Sequence, residues 1–466
     1  MNKRIVQRTH KALIESSKQN ESQKKFSFSY DNENLKYKSR LRDFSSVEFK
    51  LFDILFDEMS VQESISNLFN EKILNTTEGR PALHHKYREN NPVLEFDFRK
   101  ICQPLLRRIK KREFKNIITF GIGGSYEGPK LLQEYLFNAS AKMNYFFVSG
   151  PDKNEFNAIV KPLIDENNLY IFASKSLSTD ETLACFNWLG KKRTNKNSIA
   201  ITANNERASS LGFSQESIIL FPESVGGRYS IWSPISLSAS IENNFMNFLR
   251  GGGQADSLLS GTCAESKRYQ KFIKTLSFSD IWFSNFRNKK NRVLLTYNWQ
   301  LRSFANYIQQ LEMESLGKPC DPSSIFNSTG QTIYGGFGST AQHSYFQLLH
   351  QGTADTAADI IFCRSKDSLL LEAQAEGQSD LLSGDKHLAL NALEKTNGNI
   401  PVNLFELKSL SLQGLGFLIA SWEHRVFLTS KMLGINPFDQ YGVNAGKMAA
   451  QKKLKKLRDD SDNQEK

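Results

Sequence analysis

Asn116-Ile117-Ile118-Thr119-Phe120-Gly121-Ile122-Gly123-Gly124-Ser125 joins a short β-branched run to a glycine-rich turn, and a helix-like segment, 129–137, follows. A run of this kind, apolar on both sides of its pleat, is what a strand buried on two faces requires. Further strand-like runs follow at 144–148, 169–173, 198–202 and 218–220, separated by helix-length segments. That alternation predicts right-handed βαβ units and a mainly parallel sheet. The rhythm restarts with a strand at 292–297, a helix at 301–312 and a strand at 358–363, and a helical stretch covers 410–433. Ahead of the first sheet, apolar residues at mixed helical spacing over 43–74 predict one or two helices, with another at 98–109. The expectation is an α/β protein: two doubly wound units in tandem behind a helical N-terminal region. The divisions fall at 1–92 (with 1–40 polar, and either frayed or attached late to the surface), 93–255, 256–446 and a charged helical tail at 447–466.

The chain has 466 residues, 39% hydrophobic and 23% charged, enough for large cores. No run of about 18 apolar residues offers a membrane span, and the N-terminus lacks the apolar core of a secretory signal. Five widely spaced cysteines (Cys102, Cys185, Cys263, Cys320 and Cys363) form no C-x-x-C pair. They suit a reducing cytoplasm and neither a disulfide framework nor a cysteine zinc site. The net charge of +11 sits at the ends. Residues 1–40 carry ten Lys/Arg against four acids, a net of +6, and residues 447–466 carry seven against four, a net of +3. A near-neutral body with basic flanks is not the basic stripe of a nucleic-acid binder.

Four clusters carry possible chemistry. The turn Gly121–Ser125 lets the backbone approach an anion at a helix start. A dinucleotide fingerprint would need a third glycine where Tyr126 stands, so a nicotinamide cofactor is a weak reading beside a plain tight turn. Ser174-Lys175-Ser176-Leu177-Ser178-Thr179 follows the third strand; hydroxyls, backbone N–H groups and one cation suit a phosphate monoester, and the competing reading is an N-capping cluster. Gly226-Gly227-Arg228 can present an arginine to an oxyanion or brace a loop. His343 and His350, seven apart, would share a helix face; with no third ligand nearby they read as structural rather than metal-binding.

Taken together and in order, these segments resemble the glucose-6-phosphate isomerase family. The similarity runs from 69–75 and Arg80-Pro81-Ala82-Leu83-His84 to Lys447, about four-fifths of the chain. It includes Gly226–Ser233, Met313-Glu314-Ser315-Leu316-Gly317-Lys318, 342–353 and Phe438-Asp439-Gln440-Tyr441-Gly442-Val443. The resemblance implies two sugar-isomerase (SIS-type) domains in a homodimer, with a hexose phosphate as substrate and neither metal nor organic cofactor. It implies that Ser174, Lys175, Ser176 and Thr179 hold the phosphate, that Gly123, Gly124 and Ser125 line the sugar, and that Gln440 contacts it. Arg228 would stabilise the enediolate oxygen, and Lys447 would stand near the ring oxygen.

Two expected parts are absent. Where the family reads W-G-E-P-G-T-N, this chain reads Tyr334-Gly335-Gly336-Phe337-Gly338-Ser339-Thr340, so Gly336 occupies the place of the family's base glutamate. The family's ring-opening histidine has no counterpart in Arg364-Ser365-Lys366-Asp367-Ser368, and Asn444 stands where the family has a glutamate. Loss of a general base costs about 10²–10⁴-fold. Three functions follow as expectations: an isomerase with a rewired base, drawn from Glu314 or a loop at 372–376; a non-catalytic sugar-phosphate binder serving as sensor or partner subunit; or a sugar-phosphate enzyme of another reaction.

Overall fold

The computed structural model describes residues 2–18, 25–72, 74–112, 114–136, 141–386, 388 and 391–464. The first sheet has five strands, all parallel, in the order Ile218–Leu220, Ser198–Thr202, Asn168–Ala173, Asn116–Phe120, Asn144–Val148. Asn116–Phe120 is buried throughout, as its apolar run requires, with Ile118 opposite both Tyr170 and Phe146. The helix read at 129–137 is Glu127–Tyr135, and residue 137 lies outside the described residues. Because every strand runs the same way, the turns after Phe120 and Ala173 open at one edge, where a ligand meets helix N-termini.

The second sheet has seven strands. Thr332–Phe337, Asn291–Thr296, Thr356–Cys363 and Val402–Leu407 are parallel neighbours in that order. The next strand is Leu35–Arg42, antiparallel, with Leu35 opposite Leu407 and Arg40 opposite Val402. Lys25–Phe26 and Ser29–Asp31 pair with it in turn. Of residues 1–40, those described are attached rather than frayed, and 1 and 19–24 lie outside the described residues: Leu35, Tyr37, Ser39 and Leu41 point into the core while the basic residues between them are more exposed. Lys3–Lys18 is a helix that buries Val6, Thr9 and Leu13. A period of two, hidden by lysine and arginine on alternate positions, made a strand look like a polar flank.

The expected division at 255/256 falls inside the helix Phe245–Ser260. That helix is joined to the long buried helix Leu412–Leu433 by Asp256, which accepts from His424 Nε2 at 2.9 Å. At the centre of the second unit, Arg425 and Arg292 are enclosed among Asp280, Asp359 and Glu312. Arg425 reaches Asp359 Oδ2 at 2.9 Å and both oxygens of Asp280 at 2.7 Å. Burial lifts the Glu312 carboxyl above its ordinary range against the pull of the two arginines, as fits three carboxylates sharing two cations. The tail from Asn444 to Gln464 is helical. None of the described helices is long and apolar enough to cross a membrane.

Candidate active site

Two glycine turns meet back to back. Gly123 adopts φ +58°, and a side-chain carbon on Gly124 would lie 1.9 Å from the carbonyl oxygen of Gly227. Only glycine permits that approach, and it sets the loop carrying Arg228 directly against the turn after the first strand. Ser230 Oγ donates to Gly227 O at 2.7 Å and lies 3.4 Å from Gly124 O, locking the two loops.

Arg228 is buried and spends its whole guanidinium. Nε donates to Ser315 Oγ at 2.8 Å, Nη1 to Gln440 Oε1 at 2.8 Å and to Glu314 Oε2 at 3.2 Å, and Nη2 to the carbonyls of Asp439 (2.8 Å) and Pro437. One residue thereby clamps the segments 313–318 and 437–440, which the sequence places far apart. Tyr229 stacks on the His84 ring at 4.5 Å, which ties the Arg80–His84 stretch to the same place. Burial, reinforced by Arg88, His85, His424 and Arg228, pushes His84 well below the usual imidazole range, so it packs as a neutral ring.

Beside the clamp opens a cavity of about 1090 Å³ whose wall carries Gln310, Glu314, Lys318, Asp439, Gln440 and Tyr441. Gln310 approaches Gly123, its Nε2 only 3.0 Å from where a side-chain carbon there would sit. Gln310 escaped the sequence reading: it sits beside Gln309 on the helix Phe304–Leu316, where Asn306, Glu312, Glu314 and Ser315 are polar too, so nothing local marks it.

In the second loop, Ser174 Oγ and Thr179 Oγ1 are 3.0 Å apart, Leu177 N donates to Ser174 Oγ at 3.2 Å, and Ser176 and Ser178 pair at 2.7 Å. Leu177 sits at φ +47°, an unusual conformation for leucine. Thr179 precedes the helix Asp180–Leu189 without a side-chain cap bond, so the capping reading of this cluster does not hold for Thr179. Lys175 Nζ donates to Glu223 O at 2.6 Å. Burial, and then the nearby Arg80 cation, hold this ammonium down to about 8. Glu223 also accepts from Arg80 at 2.8 Å, so the crevice behind Lys175 is closed, with only about 10 Å³ free.

Other expected residues are not brought together. Lys447 lies in the first turn of the outer helix Asn444–Gln464, exposed and without a hydrogen bond or ion pair among the described residues. Gln342-His343 falls in a turn between Gly338–Ala341 and Phe346–Gln351, so His343 and His350 do not share one helix; His350 Nε2 binds Gln378 at 2.8 Å. The stretch read as a loop near Glu372 to Glu376 is the helix Leu369–Ser383, and Arg364 binds Glu372, Glu376 and Glu406. Gly336 lies in the strand Thr332–Phe337 at φ +143°, with open space where a side chain would begin. Gly336→Glu should therefore cost about 1–3 kcal/mol of stability for backbone reasons alone. Gly336→Ala should show the same loss in a urea melt, and an unchanged midpoint in both would refute this reading.

Comparison with known proteins now decides the family. A family model described as phosphoglucose isomerase matches residues 99–466. The chain belongs to the phosphoglucose isomerase family. It is 34% identical over 437 residues to the glucose-6-phosphate isomerase of Legionella pneumophila strain Paris, covering 86% of each chain. It is 32% identical over 462 residues to that of Buchnera aphidicola subsp. Cinara cedri, covering 87% of this chain and 83% of the relative. The crystal structure of a glucose-6-phosphate isomerase from Chlamydia trachomatis superposes with a TM-score of 0.83 at 22% identity, over 97% of this chain and 96% of the other.

Proposed function

We propose that this protein is a glucose-6-phosphate isomerase, interconverting glucose 6-phosphate and fructose 6-phosphate through an enediol(ate), as in glycolysis and gluconeogenesis. The observation that carries this reading is the clamp at Arg228: a buried guanidinium whose partners Gln440 and Glu314 line a cavity, together with Gln310, the neighbour of the Gly123 turn. Aldose–ketose exchange develops negative charge on O1 and O2 of the open-chain sugar, and the fixed charge of Arg228, its N–H groups already held by the protein, would act on it through space without reorganisation. Ser174, Lys175, Ser176 and Thr179 would hold the phosphate, with Gly123, Gly124 and Ser125 along the sugar. Gln440 would contact a hydroxyl, and Lys447 would approach the ring oxygen once its helix docks. The second reading, a binding subunit without turnover, is favoured by Gly336, which offers no proton acceptor.

A homodimer in the cytoplasm accompanies the reading. Met448 and Leu457 are exposed along the outer helix, 69% and 55%, which runs on from Tyr441 at the cavity rim, and a second copy would cover them. Sedimentation of the full chain tests the dimer.

A coupled assay converting fructose 6-phosphate separates the two functions: turnover near about 10 s⁻¹ supports the isomerase. Ligand binding is tested at Lys175. At saturation of about 100 Kd, fructose 6-phosphate should stabilise the wild type by about 2.7 kcal/mol, and Lys175→Met should lose that gain. Because Lys175 loses its proton near 8 in the free protein, affinity should weaken roughly tenfold between pH 7 and pH 9. Equal affinity at both pH values would show that Lys175 does not meet the phosphate.

A further inference from the structure

The isomerase reaction moves a proton between adjacent carbons, and the carboxylates around Arg228 are mostly committed. Glu314 is ion-paired to Arg228 at 3.2 Å, Asp439 holds Lys318 at 3.0 Å and Thr77 at 2.6 Å, and Glu223 holds Arg80 at 2.8 Å. Glu127 is different. It opens the helix Glu127–Tyr135, two residues after Ser125, and its Oε2 is buried with no hydrogen-bond partner. Among the described residues it is the one carboxylate oxygen in that condition.

Two tethers locate it. At the far end of its helix Glu134 pairs with Arg302 at 3.0 Å and accepts from Ser303, at the start of Phe304–Leu316. At the near end the Gly123 turn abuts Gln310, two turns further along that same helix. Glu127 and Glu134 are seven apart and share a face, so Glu127 belongs to the Gln310 end of this contact. Gln310 Oε1 is itself a buried acceptor without a donor. Two orphaned acceptors flanking a glycine turn are costly in an empty site and are satisfied by a ligand rich in hydroxyl donors.

We propose that Glu127 is the catalytic base, carrying the proton between C2 and C1 of the open-chain hexose phosphate held at Gly123–Ser125; this rests on the isomerase reading above. The carboxylate takes the proton from C2, the C2–H electron pair becomes the C1=C2 bond, and O1 takes up the charge beside Arg228. Glu127 then returns the proton to C1, while the O2 proton is lost and O1 gains one, leaving the ketone at C2. Nothing is consumed. Burial, reinforced by Glu134 and opposed by Lys130, lifts this carboxyl above its ordinary range, which makes it a better acceptor. The charged groups on the elements packed against it are Arg302, bound to Glu134; Arg228 and Glu314, bound to each other; and Glu312, bound to Arg292.

The test uses the full chain, fructose 6-phosphate, and the variants Glu127→Gln and Glu127→Asp. Glu127→Gln should lose about 10²–10⁴-fold in kcat while its thermal stabilisation by fructose 6-phosphate persists. Glu127→Asp should fold, keep measurable turnover, and shift the acid limb of the pH–rate profile. If the wild type turns over and Glu127→Gln stays within threefold with the same acid limb, Glu127 is not the base and the isomerase reading stands. If the wild type neither turns over nor exchanges its substrate's C1 hydrogen with deuterated water, both fall. Should Glu127→Gln melt below the assay temperature, an unchanged kcat and acid limb in Glu127→Asp overturns the assignment.

Discussion

Arg228→Met is expected to lower kcat/KM by about 10²–10³-fold, because on the proposed function it removes the buried cation that would face the enediolate oxygen. The same change should also destabilise the fold by about 1–3 kcal/mol, since it removes the hydrogen bonds that join the loop of Arg228 to Ser315, Pro437 and Asp439, leaving Tyr229 and Lys318 as the partners of those groups. Two readouts keep these effects apart: steady-state kinetics for the first and the urea midpoint for the second. Arg228→Lys should recover little of either, because a point charge with three donors cannot span the acceptors that a planar fork meets. A kcat/KM within tenfold of wild type for Arg228→Met would remove Arg228 from the reaction and leave it a brace between loops.

The largest expected loss of stability is at Arg425. Its side chain is fully buried, and so is that of Asp359, its 2.9 Å partner. Arg425→Leu leaves Asp280 and Asp359 enclosed with Arg292 as their remaining cation, and breaking a buried pair from one side costs about 3–5 kcal/mol. The urea midpoint should fall accordingly. Adding Asp359→Asn to that background should return part of the loss, because the stranded charge is what makes the single change costly. A single variant within about 1 kcal/mol of wild type would mean that water reaches this cluster.

Both residues show where sequence reading reaches its limit. The strands Asn116–Phe120 and Asn168–Ala173 were legible because burial on two faces favours β-branched and apolar residues at adjacent positions, and the glycine turn and the hydroxyl cluster follow them directly. Leu35–Arg42 was not, since its outward lysines and arginines masked the inward alternation. Thr332–Phe337 was not, since Gly335 and Gly336 look like a turn when they in fact occupy extended backbone at positive φ. Gly251-Gly252-Gly253 sits inside the helix Phe245–Ser260 although glycine is a poor helix former; tertiary packing overrode that preference.

Local features, then, were written in the order of residues: parallel α/β architecture, a hydroxyl-rich loop around one lysine, an arginine after two glycines, and a glycine pair at 335–336. Those features depend on neighbours within a few positions, where propensity and periodicity act. Long-range juxtaposition was settled only by folding. Arg228 gripping Gln440, Lys175 turned onto the Glu223 carbonyl, Gln310 against Gly123 and the unpartnered oxygen of Glu127 all join segments far apart in the chain, and what places them is close packing between elements.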